Sequence, residues 1–434
     1  MYQIHKLPSG VRVIAEPNPN VRSVSLGVWG GNGTRHEQIT QNGASHFIEH
    51  MLFKGTDRMD ASALADAMDT LGGEINAFTT KECTCFYGRV LDEKLRQFAD
   101  LLADMLFHSR FDEASVETER GVIYEEIGMC DDTPDDLAVE RLTLGVFSGT
   151  PLGYPILGTR DSLRSMTGTS LRRYMRAHYT GDAVVIAVSG HFTPDDLSYI
   201  EQSLGDFPVG SRPQSDASAY HPAFSCVEKP TEQNHIVIGF PTFSYLSEQR
   251  YALQILNNIL GGNVSSRLFQ RVREQLGLCY AINSFLVTHA DCGLMAIYIG
   301  TGADSEQKAL TEIGKTLADV AHNGVSNDEI EKVRDSIRSG LLMALESTSA
   351  RMNHMGKGLL LQHGVASPDE VAARYLAVTR DEVVDLARQV LDPAQLSLSA
   401  VTKKGAADAY AKQVVDSMDF SRLGTCKFPQ DIVK

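Results

Sequence analysis

The segment His46-Phe47-Ile48-Glu49-His50 holds three side chains of the types and spacing needed to bind a metal ion and move a proton. On a helix, at 100° per residue, His50 lies about 40° and Glu49 about −60° from His46, so all three point into one space. Two imidazoles one turn apart can bind one metal ion, and a carboxylate beside them can act as a base. Phe47 and Ile48 fall on other faces and pack. Three fixed positions make a short pattern, and a surface histidine pair is the competing reading.

A two-histidine site needs a third ligand and an open position for water. The helical stretch Asp112 to Met129 offers Glu119 and Glu126, which are about 20° apart on the wheel and so share a face. Each follows a residue of the apolar stripe by three, Val116 and Ile123. Carboxylates bordering a buried stripe are costly unless paired or ligating. The plainer alternative is the polar edge of an amphipathic helix, and spacing alone favours it. Glu113, Glu117 and Glu125 fall elsewhere and read as solvated.

These helices need a frame. Val11–Ala15 reads as a strand after the Pro8-Ser9-Gly10 turn, and Ser23–Trp29 alternates Val24, Leu26 and Val28 with Ser23, Ser25 and Gly27. Gly30–Gly33 lacks the phosphate-binding glycine patterns and reads as a turn. A helix starts at Asp60 and stops at Gly72-Gly73. Glu74–Thr80 and Cys83–Leu91 form a hairpin, Asp92–His108 is an amphipathic helix, and a helix at Ser170–Ala177 precedes a strand at Ala183–Ser189. The same order returns about 210 residues later. It runs through a strand at His235–Gly239, a helix at Ser247–Leu260, helical Ser265–Gln275 and strands at Cys279–Val287 and Cys292–Gly300. Helices at Ser305–Asn323 and Ser326–Met343 and a strand at Leu396–Val401 complete it. Gly210–Pro222, rich in Ser, Pro, Gly and Ala, has no periodicity and reads as a linker. The expectation is an α+β fold of two homologous domains related by duplication, each a mostly antiparallel sheet packed with helices. The boundaries are residues 1–212, a linker at 213–222, and residues 223–434.

The chain has 434 residues, 43% hydrophobic and 22% charged, enough for two cores. No apolar run approaches the roughly 20 residues that span a bilayer, so no membrane partner is expected. The N-terminus, Met1-Tyr2-Gln3-Ile4-His5-Lys6, has no signal core, which points to bacterial cytoplasm or a mature organellar form. A formal net charge of −15 argues against nucleic acid and suits a basic peptide. It equally suits a solvated acidic surface. Seven scattered cysteines (Cys83, Cys85, Cys130, Cys226, Cys279, Cys292 and Cys426) with no C-x-x-C pair read as free thiols in a reducing compartment.

Gly43 to Thr56, which contains His46, Glu49 and His50, resembles the active-site segment of the pitrilysin/insulinase family of inverted zincins. It is most similar to the mitochondrial-processing-peptidase-like branch with its short bacterial zinc peptidases. Glu126 lies 126 − 50 = 76 residues after the second histidine, the interval of the family's third ligand, within the similar segment Glu119-Arg120-Gly121-Val122-Ile123-Tyr124-Glu125-Glu126. Gly73-Glu74-Ile75-Asn76-Ala77-Phe78-Thr79-Thr80 resembles the family's substrate-binding edge strand. Arg273-Glu274-Gln275-Leu276-Gly277-Leu278-Cys279-Tyr280 resembles its second-domain Arg/Tyr motif. On residues alone, Asn76, Phe78, Arg273 and Tyr280 would pass as ordinary strand and surface positions.

The resemblance implies a zinc-dependent endopeptidase with one Zn²⁺ per chain, held by His46, His50 and Glu126. Glu49 would be the general base on zinc-bound water, and Glu119 an accessory glutamate. Tyr280 would stabilise the oxyanion and Arg273 would hold a substrate carbonyl. An extended peptide would add as a strand beside Asn76, Ala77, Phe78 and Thr79. Long members carry four such domains in a chamber and this chain has two, so a homodimer is implied, or a heterodimer. The alternative is a non-catalytic interaction or structural subunit of a larger assembly.

Overall fold

Alternation in Ser23-Val24-Ser25-Leu26-Gly27-Val28-Trp29 makes a strand whose two faces differ, and this strand lies inside a six-stranded sheet. The computed structural model describes residues 2–403, 407–420 and 423 of the chain, and Cys426 lies outside them. In chain order the strands are β1 (Gln3–Lys6), β2 (Arg12–Pro17), β3 (Ser23–Gly30), β4 (Glu74–Thr79), β5 (Thr84–Leu91) and β6 (Val184–Gly190). Their order in the sheet is β1-β2-β6-β3-β5-β4. Only β2 and β6 pair in parallel. Val24, Leu26 and Val28 face a core shared with helices α1 (Ala44–Leu52), α2 (Ala61–Leu71), α3 (Leu95–His108) and α4 (Glu113–Asp132). The start and stop of α2 follow the expected chemistry. The Asp60 side chain accepts from the Ala63 N–H, and Gly72 ends the helix at φ 65°.

The opposite face of β3, which carries Ser25, Gly27 and Trp29, is buried as well. A helix at Thr348–Leu361 lies on it. Ser25 Oγ bonds Thr348 Oγ1 at 2.9 Å, and the Trp29 indole N–H reaches Met352 Sδ at 3.4 Å. Small residues make this fit: a Cβ at Gly356 would meet the Trp29 ring at 2.2 Å. This corrects the contiguous boundaries. The first compact unit comprises Met1–Ile127, Tyr154–Asp216 and Leu342–Ala366, so a helix from the second half of the sequence completes the first sheet.

The second unit comprises Gly128–Gly153, Ala217–Leu341 and Ser367–Lys434. Its strands are β7 (Phe224–Glu228), β8 (Asn234–Thr242), β9 (Ala281–Thr288), β10 (Gly293–Thr301) and β11 (Ser397–Thr402), ordered β7-β11-β8-β10-β9. Helix α5 (Pro134–Val146), from the first half of the sequence, covers one face through Leu137, Leu142 and Val146 against Val237, Leu294 and Val401. The exchange of helices is therefore reciprocal. β7-β11-β8-β10-β9 repeats β2-β6-β3-β5-β4, with the one parallel pair at the same place. The edge strands even share sequence: Ile75-Asn76-Ala77-Phe78 in β4 and Ile282-Asn283-Ser284-Phe285 in β9. The two domains are a duplication, as their order of elements implied.

The expected linker has no helix or strand over residues 210–223, but it is tied down. Arg212 donates to the Leu360 carbonyl at 2.9 Å, and Arg35 Nε to Ser215 Oγ at 2.7 Å. Further on, the Ser218 N–H reaches Asp291 at 2.7 Å and Tyr220 OH bonds Ser397 Oγ at 2.6 Å. No described helix is long and apolar enough to cross a membrane.

Candidate functional site

Helix α1 begins at Gly43, whose φ of 94° favours glycine and which has no capping side chain of its own. The cap comes from outside. The Glu37 carboxylate, 3% exposed, accepts from the N–H groups of Gly43 at 2.7 Å and Ser45 at 2.8 Å, and from the Asn42 amide at 3.0 Å. Burial pushes the Glu37 carboxyl up and these three donors pull it back. Glu37 is absent from the sequence reading. The available signal was a helix opening on Gly-Ala with no Ser, Thr, Asp or Asn cap, which must borrow an acceptor. From this anchored start, Phe47, Ile48, Met51 and Leu52 enter the core, and His46, Glu49 and His50 lie half-buried on another face.

Helix α4 is placed against α1 by Arg120. Its guanidinium donates to the carbonyls of Leu163 and, at 2.8 Å, Met166, and it lies over the Phe47 ring at 5.7 Å. Val116 and Ile123 are buried, and Glu119 and Glu126 project toward α1. One ligand atom each from His46, His50 and Glu126 lies within 4.8 Å of the others, the one such group among the described residues. His46 Nε2 is 3.7 Å from Glu126 Oε2, and His50 Nε2 is 3.6 Å from Glu126 Oε1. Two imidazoles and one carboxylate are a zinc donor set that leaves a coordination position open. Two further observations fit a cation here. Glu126 Oε2 is buried with no hydrogen-bond partner. Burial, and then the neighbouring His50, push His46 down to about 4, so at neutral pH it is uncharged and can offer a lone pair.

Glu49 is not part of this donor group. Its Oε2 accepts from the Thr79 hydroxyl at 2.5 Å. Burial pushes its carboxyl up, the Thr79 bond and His50 pull it down, and Glu126 pushes it up again. Thr79 is the last residue of β4, which pairs only with β5 and so leaves one backbone edge open. Phe78 packs edge-on to Trp29 at 5.5 Å and near Tyr87 at 5.9 Å, Ala77 leans on the core, and Asn76 is exposed. The turn after β4 is held by the glycine-rich loop, where Arg35 N–H bonds the Lys81 carbonyl at 2.8 Å. A Cβ at Gly33 would meet the Thr80 carbonyl at 2.3 Å, which explains that glycine without a phosphate.

All site residues expected from the first half thus lie together in the first unit. Glu119 lies beside them, with Oε2 3.1 Å from His50 Nδ1. Arg273 and Tyr280 lie in the second unit, together. Arg273 sits on a π-helical stretch, Phe269–Gln275, with its guanidinium 4.6 Å from the Phe269 ring centroid and 5.0 Å from that of Tyr280. Phe269 and the π-helix were missed, because the residue pattern does not separate a π turn from an α turn.

The family described as Insulinase (Peptidase family M16) matches residues 12–160, and that described as Peptidase M16 inactive domain matches residues 165–337. The chain is 42% identical over 391 residues to a Bacillus subtilis protein named "Uncharacterized zinc protease YmxG", covering 90% of this chain and 96% of that one. The chain belongs to peptidase family M16. A second M16 relative, named as an uncharacterized zinc protease of Streptomyces coelicolor, is 37% identical, with 89% and 86% of the two chains covered. The M16 fold recurs in a protease from Helicobacter pylori, with a TM-score of 0.85 at 18% identity, covering 93% of this chain and 99% of that one. It recurs again in a peptidase M16 inactive domain from Pseudomonas fluorescens, with a TM-score of 0.86 at 19% identity and the same coverage. The description "inactive domain" attaches here to residues 165–337, whereas His46, Glu49, His50 and Glu126 fall within the M16 match at 12–160.

Proposed function

We propose that this M16 protein is a zinc-dependent endopeptidase that cleaves peptides bound in extended form along β4. One observation carries the reading: the His46, His50 and Glu126 donor group lies beside a carboxylate, Glu49, that is hydrogen-bonded to the last residue of an open sheet edge. Zinc, when bound by those three residues, supplies a Lewis acid that makes water a nucleophile near neutral pH. Glu49 takes the proton from the attacking water and returns it to the leaving amine. Thr79 occupies Oε2, which leaves Oε1 for that proton. The backbone along the open edge of β4 binds the peptide as an added strand, with Asn76, Ala77, Phe78 and Thr79 as its floor, and the Ala77 N–H, which donates to the Asn76 side-chain oxygen at 2.8 Å, exchanges that partner for the peptide. Arg273 and Tyr280 are assigned, by resemblance, to a substrate carbonyl and the oxyanion.

The test is zinc content, expected at one per chain, and hydrolysis of a quenched-fluorescent basic peptide in wild type, Glu126→Gln and Glu49→Gln. Glu126→Gln should lose zinc and activity together. Glu49→Gln should keep zinc and lose turnover at least 100-fold, the order of a general base. A wild type that takes up no zinc after reconstitution, or a Glu49→Gln that stays active, would refute the assignment. We also infer a homodimer; sedimentation of a fully active monomer would contradict it.

A further inference from the structure

We propose that Lys54 is a positioning residue for the metal site: it holds the Glu119 carboxylate in the orientation that fixes His50. The inference rests on the zinc reading above.

Glu119 is 3% exposed, and each of its oxygens has one partner of opposite charge or proton-donating type. Oε2 is 3.1 Å from His50 Nδ1, and Oε1 is 2.9 Å from Lys54 Nζ. A carboxylate oxygen accepts, so the His50 tautomer that makes this bond carries its proton on Nδ1 and its lone pair on Nε2. That Nε2 is the atom 3.6 Å from Glu126. His46 has no such support, since its Nδ1 is buried without a hydrogen-bond partner. The orientation of one imidazole of the pair therefore depends on Glu119.

Glu119 in turn has a single cation within ion-pair reach among the described residues, Lys54. Lys54 lies two residues past the end of α1, where its N–H bonds the Met51 carbonyl at 3.1 Å. The helix that presents His50 thus also launches the side chain that secures His50's partner on α4. Without the ammonium, one oxygen of a buried carboxylate loses its donor, and the carboxylate is free to turn away from His50. Loss of such an outer partner typically weakens metal binding about 10–100-fold.

The experiment is zinc affinity of the full chain, by chelator competition at pH 7.5. It compares wild type, Lys54→Met, Lys54→Gln, Lys54→Arg, Glu119→Gln and the double variant K54M/E119Q. Lys54→Met and Lys54→Gln should each bind zinc about 10-fold more weakly while the metal-free protein still melts cooperatively, and Lys54→Arg should restore most of the affinity. The double variant should be no weaker than Glu119→Gln alone, because both changes act through one path. Wild-type affinity in both uncharged variants, or losses that multiply in the double variant, overturns the proposal for Lys54 and leaves the zinc site standing. A wild type that binds no zinc overturns both.

Discussion

His36 supplies a pH prediction that can be worked from geometry. It sits in the loop that ends at Glu37, and its Nδ1 accepts the Gly33 N–H at 3.2 Å. A proton on Nδ1 would break that bond. Burial, then Arg212 and Arg35, push the imidazole down from 6.5 to about 4, while Glu82 and then the Gly33 backbone pull it up. The folded value lies below the unfolded one, so on acidification the unfolded chain takes the proton first. The stabilisation is complete above about pH 6.5 and is lost as pH falls toward 4. The interval between 6.5 and about 4 caps the loss at about 3.4 kcal/mol. Between pH 7.5 and 5.5 the same linkage gives about 1.3 kcal/mol, roughly 3–5 °C of melting temperature for a unit of about 200 residues. The control is His36→Asn, whose side-chain oxygen can take over the Gly33 bond and cannot be protonated. Melting is followed for both proteins at pH 7.5, 6.5 and 5.5, so that other acid-titrating groups cancel. The wild type should lose about 1.3 kcal/mol more than the variant across this range. Parallel curves would show that His36 is not held neutral by the fold.

Packing and catalysis each supply one further test. A Cβ at Gly356 would meet the Trp29 ring at 2.2 Å, whereas one at Gly121 in α4 meets nothing within 4 Å. Gly356→Ala should therefore cost about 1–3 kcal/mol, and Gly121→Ala should gain about 1 kcal/mol from helix propensity; equal effects by thermal melting would count against the packing described for the exchanged helix. Thr79→Val removes the donor to Glu49 but keeps the side chain's shape; since a hydrogen bond to a charged group is worth about 1.5–3 kcal/mol, kcat should fall about 10–100-fold with KM little changed. Thr79→Ser should restore it, and a loss confined to KM would place Thr79 on the peptide instead of the base.

The first-half site was legible because its geometry is local. His46, Glu49 and His50 share a helix face by arithmetic, and Glu119 and Glu126 share another. That the two faces meet was not arithmetic. It depends on Arg120, whose bonds to the carbonyls of Leu163 and Met166 join stretches more than 40 residues apart in sequence. Glu37 was hidden for the same reason: a cap delivered from a preceding loop has no fixed spacing, unlike the Asp60 cap of α2. The exchanged helices escaped a contiguous reading because their signals are small residues, Gly27 and Gly356 around Trp29, which read as weak strand and weak helix until both partners are known.

The two sheets bear on what the first one does. After β3 the chain enters α1 and its donor face; after β8 it enters a helix at Arg250–Leu260 that carries no histidine and buries Tyr251, Leu253, Leu256 and Leu260. The edge strand nevertheless recurs in both sheets. Packing accounts for part of that recurrence, since Ile75 leans on the first core, Phe78 lies against Trp29, and Ile282 is buried in the second core. It does not account for Asn76 and Asn283, both exposed, each opposite a tyrosine, Tyr87 and Tyr298, on the neighbouring strand. The duplicated plan thus kept an open backbone edge in both domains and, among the described residues, placed a donor group of metal-ligating type beside only one. The proposed peptidase chemistry therefore rests on α1 and α4 of the first unit, and it predicts that substitutions at His46, Glu49, His50 and Glu126 abolish hydrolysis of the quenched-fluorescent peptide. Changes along Arg250–Leu260 should register as stability alone.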